Sequence, residues 1–139
     1  MGQLLRNRKI LIIDDAPDVQ TILRSFLEQE GAIVEVATNG SAAIQNITEQ
    51  PYDLALLDLN LPEMSGYEIA QQMRHQGFKS LIYAFTAHDL NYLSKEKLKT
   101  SGFSGYLSKD FIDLPLSELP KAISEIFLSP IQNDLQSER

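Results

Sequence analysis

Five residues, at four places in the sequence, have the side-chain types that bind and carry a phosphoryl group. They are two adjacent acids, a third acid, a hydroxyl and an amine: Asp14, Asp15, Asp58, Thr86 and Lys109. Three carboxylates brought together repel one another, so they either raise a proton affinity or recruit a cation. Because they offer only oxygen ligands, we expect that cation to be Mg²⁺ or Mn²⁺. Beside it, a hydroxyl and an ammonium would offset the charge of a phosphoryl group carried by Asp58 as the nucleophile.

Each of these residues also has an ordinary structural role open to it. Asp15 precedes Ala16-Pro17 and could cap a helix, and Asp58 could begin a turn. Thr86 could bond to nearby backbone, and Lys109 could be a solvated surface charge. Only convergence on one site favours the chemical roles, so the elements that position these residues decide between the two interpretations.

The apolar pattern predicts five strands that alternate with helices. The predicted strands are short, and the first is rich in β-branched residues: Ile10–Ile13, Ile33–Ala37, Leu54–Leu57, Leu81–Phe85 and Ser104–Leu107. Helical spacing predicts a helix after each strand. The residues that bound these helices are Pro17 and Gly31, Ser41 and Pro51, Ser65 and Gly77, Leu90 and Ser101, and Leu116 and Phe127. Ser65 and Glu68 form the sequence signature of a capping box for the third helix.

This alternation predicts an α/β fold, a doubly wound parallel sheet with helices on both faces. Strands one, three and four are continuously apolar, as central strands should be, whereas strands two and five carry Glu35 and Tyr106. Strands two and five are therefore the expected edges. The flavodoxin-like order 2-1-3-4-5 satisfies this and is one of the two common doubly wound orders, so we predict it. In that order the ligand crevice lies at the carboxyl ends of strands one and three, where all three acids lie.

The composition indicates one acidic domain without cysteine. The 139 residues include 12 basic and 19 acidic side chains, a formal net charge of −7, and no cysteine. The negative charge disfavours nucleic acid as a direct partner, and the lack of cysteine excludes disulfides and thiolate chemistry. The N-terminus lacks a secretory signal and no apolar run is long enough to span a bilayer. We therefore expect a cytoplasmic protein without membrane insertion.

Four segments resemble the receiver domain of two-component response regulators. They are ILIIDDAPDVQ, LALLDLNLPEMSGYEI, YAFTAHD and GYLSKDF, and they occur in the family's order. The resemblance covers residues 9–128, which predicts an N-terminal extension over 1–8 and a polar C-terminal tail over 129–139. It implies a phospho-acceptor signalling switch rather than an enzyme acting on other substrates. A histidine kinase or a histidine phosphotransfer protein would be the donor.

The resemblance also implies a role for each residue of the site. Asp58 would accept the phosphoryl group, and magnesium would be held by Asp14, Asp15, Asp58 and the backbone carbonyl of Asn60. Thr86 and Lys109 would bind phosphoryl oxygens. Thr86 and Tyr106 would act as the switch, remodelling the binding face of helix four, strand five and helix five. Asn60 and His88 border the phosphate position and would tune its hydrolysis.

Two positions depart from the family pattern. Asp110 stands after Lys109, where receivers usually have proline, often with a cis peptide. A cis bond before a residue other than proline costs about 2.5–4 kcal/mol, so we predict a trans Lys109–Asp110 peptide and a different local loop. Leu61 replaces the methionine of many receivers, a swap of similar size that should matter little.

Other functions stay open at this point. The chain could be a single-domain regulator or a receiver excised from a hybrid kinase. An aspartate-nucleophile phosphatase or phosphotransferase is disfavoured, because such enzymes need a second acid where Asn60 stands. A flavodoxin-like cofactor binder is disfavoured by the acids in the first turn, which would repel a phosphate. A receiver-like scaffold that is never phosphorylated is a further alternative. His75 and His88 are the only histidines and do not suggest a metal site.

Overall fold

The computed structural model describes residues 2–86, 94–109 and 115–128 and contains a five-stranded parallel sheet. The strands are β1 Lys9–Ile13, β2 Ile33–Ala37, β3 Leu54–Leu57, β4 Leu81–Thr86 and β5 Gly105–Ser108. Their order is β2-β1-β3-β4-β5, and every neighbouring pair is parallel. The predicted fold class, strand order and edge strands are therefore confirmed.

Five α-helices lie within these described ranges, where they connect and follow the strands. They are α1 Pro17–Glu28, α2 Gly40–Glu49, α3 Gly66–His75, α4 Lys95–Ser101 and α5 Leu119–Leu128, the last preceded by a 3₁₀ turn at Leu116–Glu118. The predicted start of the fourth helix at Leu90 lies outside the described residues. The described helix α4 begins at Lys95, after Ser94, whose backbone is extended and whose side chain caps the helix. Within the described ranges, no helix has both the length and the apolar character that a membrane crossing requires.

Helix starts follow local sequence signals. Pro17 occupies the first turn of α1, where its missing N–H costs no hydrogen bond. The Asn39 side chain accepts from the Ala42 N–H at the start of α2. At α3 the predicted capping box is confirmed, since Ser65 Oγ accepts from the Glu68 N–H and Glu68 Oε1 accepts from the Ser65 N–H.

The sheet separates two hydrophobic clusters because side chains alternate along each strand. Helices α2, α3 and α4 cover one face, with Ile69, Met73 and Leu98 packed on it. Helices α1 and α5 cover the other, with Leu23 and Ile123 among the buried residues. A doubly covered sheet needs continuous apolar strands, as β1, β3 and β4 have.

The segment before β1 packs against this second face. Leu5 is fully buried in the cluster beneath α1 and α5. The Leu5 N–H donates to the Glu30 carbonyl, and the Arg8 guanidinium lies 4.2 Å from the centre of the Phe127 ring. The residues predicted as an extension therefore supply part of the core.

Candidate functional site

The three acids meet at the carboxyl edge of the sheet. Ile13 and Leu57 are paired in register, so the residues that follow them, Asp14 and Asp58, lie side by side. The Asp58 N–H extends the ladder by donating to the Ile13 carbonyl at 3.0 Å. One oxygen from each of Asp14, Asp15 and Asp58 lies within 4.8 Å of the others. The structure thus brings together the carboxylates that the topology predicts will converge.

Tight turns fix two of these carboxylates. Asp14 Oδ1 accepts from the Ala16 N–H at 2.9 Å, and Asp58 Oδ1 accepts from the Asn60 N–H at 3.0 Å. Each bond is an Asx turn, in which a side chain holds backbone two residues ahead. The side chain of Asp15 does not cap α1, whose N-cap is Ala16 without a side-chain hydrogen bond, so the capping interpretation is wrong. Asp15 is exposed, whereas the other two acids are buried.

Lys109 supplies positive charge to the acids. Its Nζ lies 2.7 Å from Asp14 Oδ2 and 3.1 Å from Asp58 Oδ2, and its side chain is only 11% exposed. The contact with Asp14 is an ion pair without hydrogen-bond alignment, whereas Asp58 accepts a hydrogen bond. Burial opposes the charged form, but the two carboxylates outweigh it and raise the pKa of Lys109. Lys109 is therefore not a solvated surface charge.

Thr86 lies on β4, the neighbour of β3, and Tyr106 lies on β5, one strand further from the acids. Thr86 is the last residue of β4 and is fully buried, and its carbonyl accepts from the Lys109 N–H at 2.9 Å. Tyr106 is half-buried in β5 and packs against the cluster beneath α2, α3 and α4. His88, Asp110 and the peptide bond between Lys109 and Asp110 lie outside the described residues.

A cavity of about 450 Å³ opens beside the acids. Asp15 and Asn60 line it, together with Leu61 and the other residues of the turn after β3. Gly66 closes this turn, since a Cβ there would lie 2.6 Å from the Asp58 carbonyl oxygen. The turn is therefore packed tightly against the backbone of Asp58, while the cavity leaves room beside Asp15.

The side chains of this edge fit a hard divalent cation. They present three carboxylates against one ammonium, which leaves a negative excess. Asp14 Oδ2 is buried and accepts no hydrogen bond from the described residues. Exposed Asp15 and the neighbouring cavity leave space for a hydrated ion. An all-oxygen set with room for water is typical of magnesium sites.

The sequence interpretation overlooked two supporting residues. Gln20 Nε2 donates to the backbone carbonyl of Asp14, which ties the first turn of α1 to the acidic loop. Gly66 leaves space for the Asp58 backbone, as described above. A polar residue six positions after an acid carries no recognisable signal. The sequence shows a glycine directly after the capping serine, but nothing in the sequence indicates that this glycine approaches Asp58 closely.

Comparison with known proteins identifies the family. The family model described as the response regulator receiver domain matches residues 10–123. The chain is a receiver domain of the response regulator family. Receiver domains are phospho-acceptor switches of two-component phosphorelays, so the predicted class of function is confirmed and the phosphatase alternative is not favoured. Members of the family bind a divalent metal at the aspartate cluster and interact with histidine kinases or phosphotransfer proteins.

Relatives of this receiver domain include regulators and kinases. It is 36% identical to an uncharacterized 14.6 kDa protein of Leptolyngbya boryana, covering 84% of this chain and 90% of that protein. It is 32% identical to the transcriptional regulatory protein PhoP of Bacillus subtilis, covering 84% of this chain but 48% of PhoP. It is 31% identical to the sensor histidine kinase GacS of Pseudomonas protegens, covering 82% of this chain and 13% of GacS. The chain thus spans half or less of the last two relatives.

Solved structures agree with the fold. A two-component response regulator from Clostridium difficile superposes with a TM-score of 0.78 at 30% identity, covering 88% of this chain and 97% of that one. The response regulator TrrA of Thermotoga maritima, solved in complex with Mg²⁺–BeF, gives a TM-score of 0.74 at 28% identity, covering 86% and 98%.

Proposed function

We propose that Asp58 of this receiver domain accepts a phosphoryl group from a phosphohistidine donor. The observation that carries the proposal is the position of its carboxylate, which lies at the carboxyl edge beside Asp14, Asp15 and the Lys109 ammonium. The Asn60 N–H holds Asp58 Oδ1, and Lys109 holds Oδ2. A carboxylate fixed in this way needs little reorganisation to attack.

The transfer exchanges one bond to phosphorus for another. An oxygen of Asp58 forms the new O–P bond, and the P–N bond to the donor imidazole breaks with its electron pair returning to that nitrogen. The imidazole leaves as a neutral ring because its other nitrogen already carries a proton in the phosphohistidine. The Lys109 ammonium then moves from a carboxylate oxygen to a phosphoryl oxygen, keeping its charge because its pKa is raised. The Thr86 hydroxyl offers a second contact to the phosphoryl group from the end of β4.

We propose magnesium as the metal, with Asp14, Asp15, Asp58 and the backbone carbonyl of Asn60 as its ligands. When bound, the ion supplies the positive charge that balances the acids and the phosphoryl oxygens. The oxygen-only donors and the neighbouring cavity support this choice over a softer metal. The complex of the related TrrA with Mg²⁺–BeF supports it further. Asn60 and His88 are proposed to tune hydrolysis.

Thr86 and Tyr106 are the proposed switch. Thr86 lies on β4 and Tyr106 on the neighbouring edge strand, which pairs Ala84 with Tyr106. Movement of Thr86 toward a phosphoryl group would leave space into which the half-buried Tyr106 can turn. Such a change is a shift between two populations, limited by the contacts that the phosphate makes in each. The face of α4, β5 and α5 is the surface that would report it.

The setting of the domain is also a proposal. We infer a receiver domain over 9–128, an N-terminal extension over 1–8 and a polar tail over 129–139. Either a single-domain regulator or the receiver of a hybrid kinase fits the chain, since its relatives include a small protein, a regulator and a sensor kinase. A histidine kinase or phosphotransfer protein is the proposed donor, in the cytoplasm.

Intact-mass measurement tests the phosphoacceptor directly. The protein is incubated with acetyl phosphate and magnesium, and the wild type is compared with Asp58→Asn. We expect one added phosphoryl group on the wild type and none on the variant. Asp18→Asn, which removes an exposed acid on α1, is the matched control and should label like the wild type. Equal labelling of wild type and Asp58→Asn would overturn the assignment.

A further inference from the structure

A second cleft lies at the opposite edge of the sheet from the aspartates. It has a volume of about 480 Å³ and lies where β4 and β5 begin and α3 and α4 end. Among the lining residues that the structure describes, the charged ones are all cations: Arg74, Lys79 and Lys99. This local excess of positive charge contrasts with the net charge of −7 of the chain.

The cations of this cleft have no acidic partner in the part of the chain that the structure describes. Within residues 2–86, 94–109 and 115–128, no carboxylate forms an ion pair with Arg74, Lys79 or Lys99. Arg74 instead donates to the carbonyls of Gly102, Phe78 and Ser80 at 2.7–3.0 Å. These bonds fix the guanidinium in place without cancelling its charge.

The cleft also presents hydrogen-bond donors to a ligand. Ser104 is buried, and its Oγ accepts from the Ile82 N–H and from Arg74 Nη2. Its own hydroxyl proton has no acceptor among the described residues. Leu81 and Phe103 supply an apolar wall. Donors and cations beside an apolar wall favour a molecule with an oxyanion at one end and a less polar body.

We propose that this cleft binds the phosphate group of a small phosphorylated molecule. Lys79 and Lys99 contribute charge at the mouth, while Ser104 and Arg74 contribute donors inside. The volume falls within the range of about 300–1,000 Å³ typical of small-molecule sites. The preference for cations near helix C-termini does not explain all three cations of the cleft, because Lys79 lies in the loop after α3.

Titration of the labelled protein by amide NMR tests this site. The probes are inorganic phosphate, ADP and adenosine, added in EDTA so that the aspartate edge holds no metal. ADP should shift the amide resonances of Leu81, Gly102 and Ser104 in a saturable way, and adenosine should not. Tighter binding of ADP than of phosphate supports a phosphorylated molecule as the ligand. Equal affinity for ADP and for inorganic phosphate would overturn the choice of a phosphorylated molecule, because it would show that the cleft binds only the oxyanion.

Charge-matched variants distinguish specific ADP binding in the cleft from non-specific electrostatic attraction of ADP to lysine side chains. Lys79→Gln/Lys99→Gln should weaken ADP binding about tenfold, which corresponds to about 1.4 kcal/mol. Lys95→Gln/Lys121→Gln removes the same charge from exposed positions outside the cleft and should bind like the wild type. Equal weakening in both variants, or shifts confined to residues around Asp58, would overturn the proposal. Labelling of the cleft variant by acetyl phosphate should be unchanged, so this test is independent of the phosphoacceptor test.

Discussion

Replacing Lys109 by methionine tests whether the acidic edge depends on one cation. Methionine keeps a flexible apolar stem but removes the ammonium that lies 2.7 Å from Asp14 and 3.1 Å from Asp58. At an effective dielectric constant of about 20, these contacts are worth about 6 and 5 kcal/mol of attraction, much of it offset by desolvation. Removing one partner of a buried pair usually costs about 3–5 kcal/mol.

In the variant, the Asp14 and Asp58 carboxylates face each other without the ammonium that lies between them in the wild type. The usual cost of removing one partner of a buried pair therefore sets the expected loss. We expect the free energy of unfolding of Lys109→Met to fall by about 3–5 kcal/mol in metal-free solution.

Urea unfolding followed by far-ultraviolet circular dichroism measures this loss. In EDTA at pH 7 the midpoint of the variant should fall by about 2 M, given a denaturant dependence of about 2 kcal/mol per molar for a domain of this size. Magnesium should reduce the difference, because it replaces the missing positive charge. Lys121→Met, at an exposed position on α5, should stay within about 0.5 kcal/mol of the wild type. Equal midpoints for Lys109→Met and the wild type in EDTA would refute the reasoning.

Three further predictions follow from particular contacts. The raised pKa of Lys109 means that its stabilisation is complete below about pH 10.4, the pKa of free lysine, and is lost as pH rises through the higher folded-state pKa. Wild-type stability in EDTA should therefore approach that of Lys109→Met at strongly alkaline pH, and a constant difference in urea titrations would contradict this. Leu5→Ala should lower the free energy of unfolding by about 2–5 kcal/mol because Leu5 is fully buried. The exposed Leu4→Ala is its control, and equal stability of the two would show that the N-terminal segment is not part of the core. Gly66→Ala should cost about 1–3 kcal/mol and slow labelling by acetyl phosphate, since its Cβ would meet the Asp58 carbonyl. A Gly66→Ala variant that unfolds and is labelled like the wild type would contradict a close contact between this Cβ and the Asp58 carbonyl.

The sequence predicts the sheet well because its signals are local. Continuous apolar runs distinguish β1, β3 and β4 from the two edge strands, and this distinction selects the observed order from the common doubly wound orders. The Ser65–Glu68 pair predicts the start of α3 for the same reason, since both partners lie within one turn. Helix α4 is less predictable because its apolar stripe is loose, and the start depends on the Ser94 cap.

The candidate site is only partly predictable because its contacts are not local. Topology places Asp14 and Asp58 on adjacent strands, so their proximity follows from the strand order. Lys109 follows β5, which is three strands from β1, a separation of about 14 Å between backbones. Its contact with Asp14 therefore depends on the path of the chain after β5 and on the extended lysine side chain. No spacing in the sequence encodes that path, and the same holds for the cations of the second cleft.

The parallel sheet also determines how the two edges interact. All strands end on the side of the sheet where the aspartates lie, whereas the basic cleft lies where β4 and β5 begin, so the length of β4 separates the two sites by about 17 Å. Charges are screened over about 8 Å at physiological salt, so direct attraction or repulsion between the edges is weak. Any coupling must pass through packed groups, and Arg74 is the best placed of these because it joins the end of α3 to the Gly102 carbonyl at the end of α4. Because α4 belongs to the proposed switch face, a change in ADP affinity on phosphorylation would identify movement of this helix rather than electrostatics.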